Sequence, residues 1–407
     1  MKNISYLLLM FLSVVLPSLN EKKIEYNKIK TVNGSYISFS DIDKFLHSQM
    51  DSLELPGLSI AIINDGKIVY HRTIGVTNVN TKEKADFCHI PLSGPNANTN
   101  GRVDEYSIFE AGSLSKSLFA YFVMRMVDKG LLSLDTPLYK YLTYPDIAQD
   151  EQYKLITARM VLCHTSGFPN WRCWNSPDSS LHLKKNELYI KFTPGTNFSY
   201  SGEGYEYLAM VIAHLNHLTL RTLDPLFQKE VAIPLGINYA YYSWNDYLYK
   251  HMVNGQFNGK PSGRGWPIAY FPGINYAEEH SMDSSCFGSA YSLHSEAISY
   301  AKFLIAILDS KGLKKASFDE MLKAQVVLSK KSDFYIHRGD TAWGLGIAIE
   351  PTKYGTRFKH DGDMYSFQSA FMFFKEQKCG YVFFTNSNKG MILNEKLEYF
   401  LTEGKLK

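Results

Sequence analysis

Two blocks of strand-forming sequence lie at opposite ends of this 407-residue chain, and each needs the other. Near the start, Leu58 to Ile63 and Lys67 to His71 are strand-like runs joined by Asn64-Asp65-Gly66, a turn sequence that marks a β-hairpin. An isolated hairpin is marginal in water, and this one has nothing close by to pair with. After Ser295, a helix through Ala306 is followed by four strand candidates: Gly344 to Glu350, Tyr354 to His360, Phe367 to Phe374 and Tyr381 to Thr385. Their short connections favour antiparallel pairing. The hairpin is therefore expected to join this late sheet, which brings the two ends of the chain together.

What lies between reads as helical. Long amphipathic stretches run at Ser115 to Lys129, Ile156 to Cys163, Gly204 to Leu215 and Leu226 to Ile233, broken by loops rich in Gly, Pro, Ser and Asn. An earlier helix is expected over Ser40 to Leu53, with Ser40 as its cap, and a helical tail follows the last strand. The fold class implied is α/β (α+β): an antiparallel sheet flanked by N- and C-terminal helices and interrupted by a large, mostly helical insertion. There is no internal repeat, low-complexity linker or charge block, so 24–407 is expected to be one unit. Within it, 24–85 and 286–407 form the α/β lobe and 86–285 the helical lobe.

Composition narrows the function classes. With 45% hydrophobic residues the chain has ample material for a core, which excludes a disordered class. A net charge of +3 without any basic run excludes nucleic acid and an anionic membrane surface as natural partners. Lys2, the short apolar run Ile4 to Leu16, and Pro17-Ser18-Leu19 read as a signal peptide over 1–18, with an uncleaved anchor as the alternative. Export to the periplasm or beyond is expected, and no second apolar stretch is long enough for an integral membrane domain. The five cysteines form no C-x-x-C pair, so neither a metal site nor a disulfide framework is expected, and Cys163 and Cys173 are the nearest pair for a single bridge.

The chemistry gathers around Ser113-Leu114-Ser115-Lys116, which opens a helical pattern just after Gly112. One turn of helix brings Ser113 and Lys116 onto the same face, so the amine can reach the hydroxyl. A serine is a poor nucleophile until a base takes its proton, and a lysine with a depressed pKa can do this. The helix start adds backbone N–H groups suited to an oxyanion. Spacing alone is weak: Ser299-Tyr300-Ala301-Lys302 repeats it and is expected to be ordinary helix. Three further features give context. Tyr200-Ser201-Gly202 lies on a loop before a helix, and its phenol can move a proton if nearby cations lower its pKa. His164-Thr165-Ser166-Gly167 closes the preceding helix, and His360-Asp361-Gly362 ends a late strand.

Together these features resemble the serine β-lactamase and penicillin-binding protein superfamily, in the branch holding class C β-lactamases, D-Ala-D-Ala carboxypeptidases, D-aminopeptidases and family VIII esterases. The likeness continues, in the family's order, through Leu55-Pro56-Gly57, Phe109-Glu110-Ala111-Gly112-Ser113, Ile156-Thr157, Pro234-Leu235-Gly236, Trp343-Gly344-Leu345-Gly346 and Thr385-Asn386. It implies a β-lactamase/transpeptidase-like fold and a serine hydrolase working through an acyl-enzyme without cofactors. By the same resemblance Ser113 is the nucleophile, Lys116 its partner in proton transfer, and Tyr200 the general base of the second motif. His360 stands in for the lysine of the third, and the backbone N–H groups of Ser113 and Asp363 form the oxyanion hole.

The departures bear on substrate. Gly202 stands where β-lactamases carry an Asn that contacts the substrate's acylamide, and Asp361 and Asp363 flank Gly362 where hydroxyl residues usually hold a substrate carboxylate. Two carboxylates there repel an anion. The expectation is a small-molecule ester or amide substrate, neutral or with a cationic end, rather than efficient β-lactam turnover. The alternatives are a peptidoglycan-directed D,D-carboxypeptidase or D-aminopeptidase, and a non-catalytic protein that binds cell-wall fragments or serves as a scaffold. His164 is expected to fix its loop rather than catalyse. Trp171, Trp174 and the aromatics between Tyr239 and Tyr249 are read as packing before cleft, and Glu203 as a solvated helix-start carboxylate.

Overall fold

The structure, a computed structural model, describes residues 27–79, 101–172, 187–263 and 286–406. The expected leader, Cys88, Cys173, Trp174 and most of 86–103 lie outside the described residues. An eight-stranded sheet organises the rest, built from β1 (Gly57–Asn64), β2 (Lys67–Gly75), β3 (Val326–Val327), β4 (Ala342–Trp343), β5 (Ala348–Thr352), β6 (Gly355–Asp363), β7 (Gln368–Phe374) and β8 (Cys379–Thr385). Their order is β3-β4-β5-β6-β7-β8-β1-β2, with every neighbour antiparallel.

The hairpin joins the late sheet as expected, β1 pairing with β8 from Leu58 opposite Thr385 to Ile63 opposite Gly380. Asp65 (φ 49°) and Gly66 (φ 70°) supply the two left-handed residues of a two-residue hairpin turn. Alternate β1 side chains enter different cores. Ile60 and Ile62 pack with α1 (Phe39–Leu53) and α7 (Gly390–Glu403) through Phe45, Leu46, Leu397 and Phe400. Ala61 and Ile63 face the opposite side, where α5 (Ala297–Leu308) contributes Phe303 and Leu304. A strand covered on both faces has no polar alternation, hence its continuous apolar sequence.

Three local expectations are corrected. The cap of α1 is Ser38, whose hydroxyl accepts the Asp41 N–H at 3.1 Å, and Ser40 falls in the first turn. The strand read over Gly344 to Glu350 is split, because Gly346 (φ 77°) turns the chain against the insertion. A Cβ there would lie 2.6 Å from the Ala120 Cβ, and its carbonyl accepts the Ser117 hydroxyl at 2.6 Å. The helix read over Leu226 to Ile233 widens into a π-turn at Gln228–Ala232, just before Pro234, which lacks the N–H for the next α-helical bond.

Within the insertion, α2 (Leu114–Asp128) is buried continuously from Leu114 to Met124. A helix apolar all round is a core helix, and this one is the post around which α3 (Ala158–Leu162), α4 (Glu203–Leu215) and α5 pack. Cys163 is a buried free thiol, its sulfur 3.3 Å from the Thr165 hydroxyl. No helix among the described residues is long and apolar enough to cross a membrane.

Candidate active site

The strand face and the core helix meet at Ser113. Gly112 (φ 53°) turns the chain into α2 so tightly that a Cβ there would sit 3.0 Å from the Asp363 nitrogen. The end of β6 presses on the same segment: a Cβ on Gly362 would lie 2.1 Å from the Ala111 carbonyl oxygen. The Ser369 hydroxyl donates to that carbonyl at 2.8 Å. The N–H groups of Leu114, Ser115 and Lys116 are taken by the carbonyls of Ala111, Gly112 and Ser113. Among the described residues the Ser113 N–H has no such partner, and the Asp363 nitrogen lies against the Gly112 turn that precedes it.

Lys116 lies one turn along, with its Nζ 3.1 Å from the Ser113 Oγ and 2.8 Å from the Ala290 carbonyl oxygen. It is 1% exposed, and desolvation pulls its pKa down to about 7, with Glu206 and Asp361 acting in the other direction. Such an amine is neutral in half its copies near neutral pH and can take a proton from serine. The other Ser-x-x-Lys pair does what an ordinary helix does. Ser299 accepts the Tyr239 N–H, and Lys302 reaches out to the Gly236 carbonyl.

The Tyr200 ring lies 4.7 Å from the Lys116 Nζ. Desolvation pushes its phenol well above the usual range, against the pull of the Ser113 hydroxyl and Arg338. The cation-lowered phenol that the sequence allowed is thus not what the surroundings produce, and Tyr200 stays a neutral donor and acceptor. His164 holds this loop. Its Nδ1 accepts the Ser201 N–H at 3.1 Å, its carbonyl accepts the Ser199 N–H at 2.8 Å, and its ring packs 4.3 Å from that of Tyr200. Burial keeps its imidazole neutral, in keeping with a loop-fixing part.

His360 faces inward from β6, 2% exposed, beneath Tyr200 and Trp343. Burial lowers its pKa to about 3, and its Nδ1 lies 2.7 Å from the Asp361 carbonyl oxygen. The neutral ring therefore carries its proton on Nδ1 and offers Nε2 as an acceptor. His360 thus adds no fixed positive charge to this face.

A cavity of about 300 Å³ opens over Ser113, walled by Tyr200, Trp171, Tyr291 and Phe334, with Asn170, Arg338, Asp361 and Asp363 as its polar groups. His360 is not on its wall. Gly202 explains itself against Trp171: a Cβ at Gly202 would fall 2.5 Å from the indole ring. Trp171 fills the space beside Gly202, while Asn170 accepts the Gly202 N–H through its side-chain oxygen at 3.1 Å. Glu203 is not solvated as expected. It is buried against Arg172, accepting the backbone N–H at 2.9 Å and the guanidinium at 2.8 and 3.0 Å.

Of the two aspartates, Asp361 pairs with Arg338 at 2.6 Å. Desolvation alone would raise that carboxyl, but Arg338, His360 and Lys359 bring it below its usual value. Asp363 is exposed and holds the Tyr365 N–H and the Gln368 amide. The aromatics after Tyr239 lie elsewhere: Tyr239, Tyr247 and His251 stack on one another, and Tyr242 is core, donating to the Ser115 carbonyl.

Sequence reading missed Arg338, Asn170 and Glu206. Glu206 had a signal, a lone carboxylate inside the apolar run Tyr205 to Ala213. Arg338, on the short α6 (Asp333–Arg338), had none.

The family model described as Beta-lactamase matches residues 42–401. Protein flp of Staphylococcus aureus is 21% identical over 221 residues, which is 53% of this chain and 40% of that protein, so the match spans well under two thirds of the relative. Among solved structures, the octameric penicillin-binding protein homologue from Pyrococcus abyssi superposes with a TM-score of 0.65 at 20% identity, covering 88% of this chain and 78% of its own. The D-alanine carboxypeptidase AmpC from Burkholderia cenocepacia gives 0.64 at 17% identity, covering 90% and 100%. At these identities the likeness is one of fold. The family model, spanning nearly the whole chain, carries the assignment: the chain belongs to the beta-lactamase family of serine hydrolases.

Proposed function

We propose that this chain hydrolyses ester or amide bonds through an acyl-enzyme on Ser113. The observation that carries the reading is the buried Lys116 amine, 3.1 Å from the Ser113 hydroxyl with its pKa near 7. Ser113 Oγ attacks the carbonyl carbon as its proton passes to Lys116 Nζ, and the oxyanion is held by the N–H groups of Ser113 and Asp363. Collapse breaks the bond to the leaving group, which takes the proton from Lys116 through the Tyr200 phenol. Water then attacks the acyl carbon, and its proton returns by Lys116 to Ser113 Oγ as the acid departs. Neutral His360 and His164 hold the tyrosine from two sides.

The cavity supports neutral substrates, or ones with a cationic end, over β-lactams. Trp171 fills the acylamide position, and only one of the two edge aspartates has Arg338 to offset it. We read the apolar run Ile4 to Leu16 as an export signal, which puts the substrate outside the cytoplasm. The test is fluorophosphonate labelling of wild type against Ser113→Ala. Labelling that depends on Ser113 is expected, and its absence would favour the non-catalytic binding protein.

A further inference from the structure

The proton path described so far leaves one titratable group unused. Glu206 lies on α4, and its Oε1 accepts the Ala290 N–H at 2.9 Å and the Ser289 hydroxyl at 3.3 Å. The carbonyl of the same Ala290 receives the Lys116 ammonium at 2.8 Å. A continuous chain thus runs from carboxylate to backbone amide to carbonyl to the amine beside Ser113. The two ends also feel each other through space, Glu206 favouring the charged form of Lys116.

We propose that Glu206 is a positioning residue that fixes the place of Lys116, through its hold on Ser289 and Ala290. Three observations support this. The Ser289–Ala290 segment is buried and contributes the one backbone carbonyl that Lys116 Nζ meets among the described residues, so its placement decides where the amine sits. Desolvation raises the Glu206 carboxyl to about 8, against the pull of the Ala290 N–H and Lys116, so it meets that N–H as a neutral acceptor where Lys116 titrates. Tyr242, across the core from Glu206, stays a neutral phenol. Lys116 is faced in turn by Tyr200, Tyr205, His164, His360 and Asp361. Of these neighbours only Asp361 is ionised, and Arg338 already offsets it. Glu206 is therefore the carboxylate whose proton is coupled to that of Lys116: losing a proton from one makes losing it from the other harder.

Because the proposal rests on Ser113 being the acylated residue, the experiment reads both. Wild type, Glu206→Gln and Glu206→Ala are compared by the pH profile of kcat/KM on a p-nitrophenyl ester, with fluorophosphonate labelling and thermal midpoints alongside. Glutamine keeps the acceptor oxygen and cannot ionise. It should leave the plateau within about threefold and the acidic limb in place, since the Glu206 carboxyl, raised to about 8 by desolvation, is already neutral where Lys116 titrates. Alanine also frees the Ala290 amide and should lower the plateau about tenfold or more, mainly in kcat. A purely structural part would lower the thermal midpoint and the active fraction of Glu206→Ala but leave kcat of its folded, labelled fraction at the wild-type value, and that result overturns the proposal. If wild type is labelled at Ser113 while both variants match it in limb and plateau, the role of Glu206 alone fails. If wild type is not labelled, the nucleophile and Glu206 fall together.

Discussion

Burying a lysine beside the reactive serine should cost the fold stability, and the cost can be read out. The Lys116 pKa falls from 10.5 in an unfolded chain to about 7 in the native one. Between those values the unfolded state binds more protons, so this group makes stability rise with pH from about 7 to 10.5, with the full penalty present below pH 7. At 1.36 kcal/mol per unit the penalty is about 4 kcal/mol at pH 7 and about 2 kcal/mol at pH 9. Replacing Lys116 with methionine removes it. The replacement also forfeits the bonds to Ser113 and Ala290, worth about 1 kcal/mol each, so the variant should gain about 1 to 3 kcal/mol at pH 7 while losing Ser113 acylation. Urea unfolding of both proteins at pH 7, 8 and 9 is the assay. Glu206 titrates in this range and is pulled down by Lys116, so both proteins carry Glu206→Gln, and in that background the difference isolates Lys116. The advantage of Lys116→Met should shrink by about 2 kcal/mol between pH 7 and pH 9. An advantage that stays constant across that range, or a variant less stable than wild type at pH 7, would refute the depressed pKa and with it the case for a neutral amine.

Gly202→Asn should drive its side chain into the Trp171 indole, costing about 2 kcal/mol and most of the esterase activity, and adding Trp171→Ala should restore the stability; urea midpoints and ester kinetics of the single and double variants check this. Arg338→Met leaves Asp361 without its partner and Asp340 with only Lys359, and should destabilise by about 2 to 4 kcal/mol in the same unfolding assay. A p-nitrophenyl ester should be turned over at least about a hundredfold faster than a chromogenic cephalosporin, and comparable rates would sink the assigned preference. His164→Ala removes the acceptor for the Ser201 N–H and should lower kcat about tenfold with a smaller change in KM, as Tyr200 drifts from its place.

The sheet was legible because its demands are local. The Asp65-Gly66 turn and two-sided apolar β1 left the hairpin one partner, and the pairing of β1 with β8 is that partnership. The Ser113–Lys116 contact was legible for the same reason, since one turn of helix dictates it. What escaped was set by packing between distant segments. Gly346 breaks a strand because the backbone must pass Ala120, and nothing in Trp343 to Glu350 records that neighbour. Glu203 was read as solvated, but its position is fixed by Arg172, far away in sequence. The repulsive edge was read from Asp361 and Asp363 alone, and Arg338 enters from the helix α6 to neutralise one of them. Tyr200 was given a conditional role, and the condition depended on surroundings that only the fold supplies.

The central claim is that a neutral Lys116 makes Ser113 the acylated residue. Rapid quenching of wild type with a p-nitrophenyl ester, followed by intact mass and peptide mapping, tests it directly. The expected result is a transient acyl adduct on the peptide carrying Ser113, its formation rate falling below a pH of about 7 and absent in Ser113→Ala and Lys116→Met. An adduct on another residue, or hydrolysis that persists in Ser113→Ala, would contradict it.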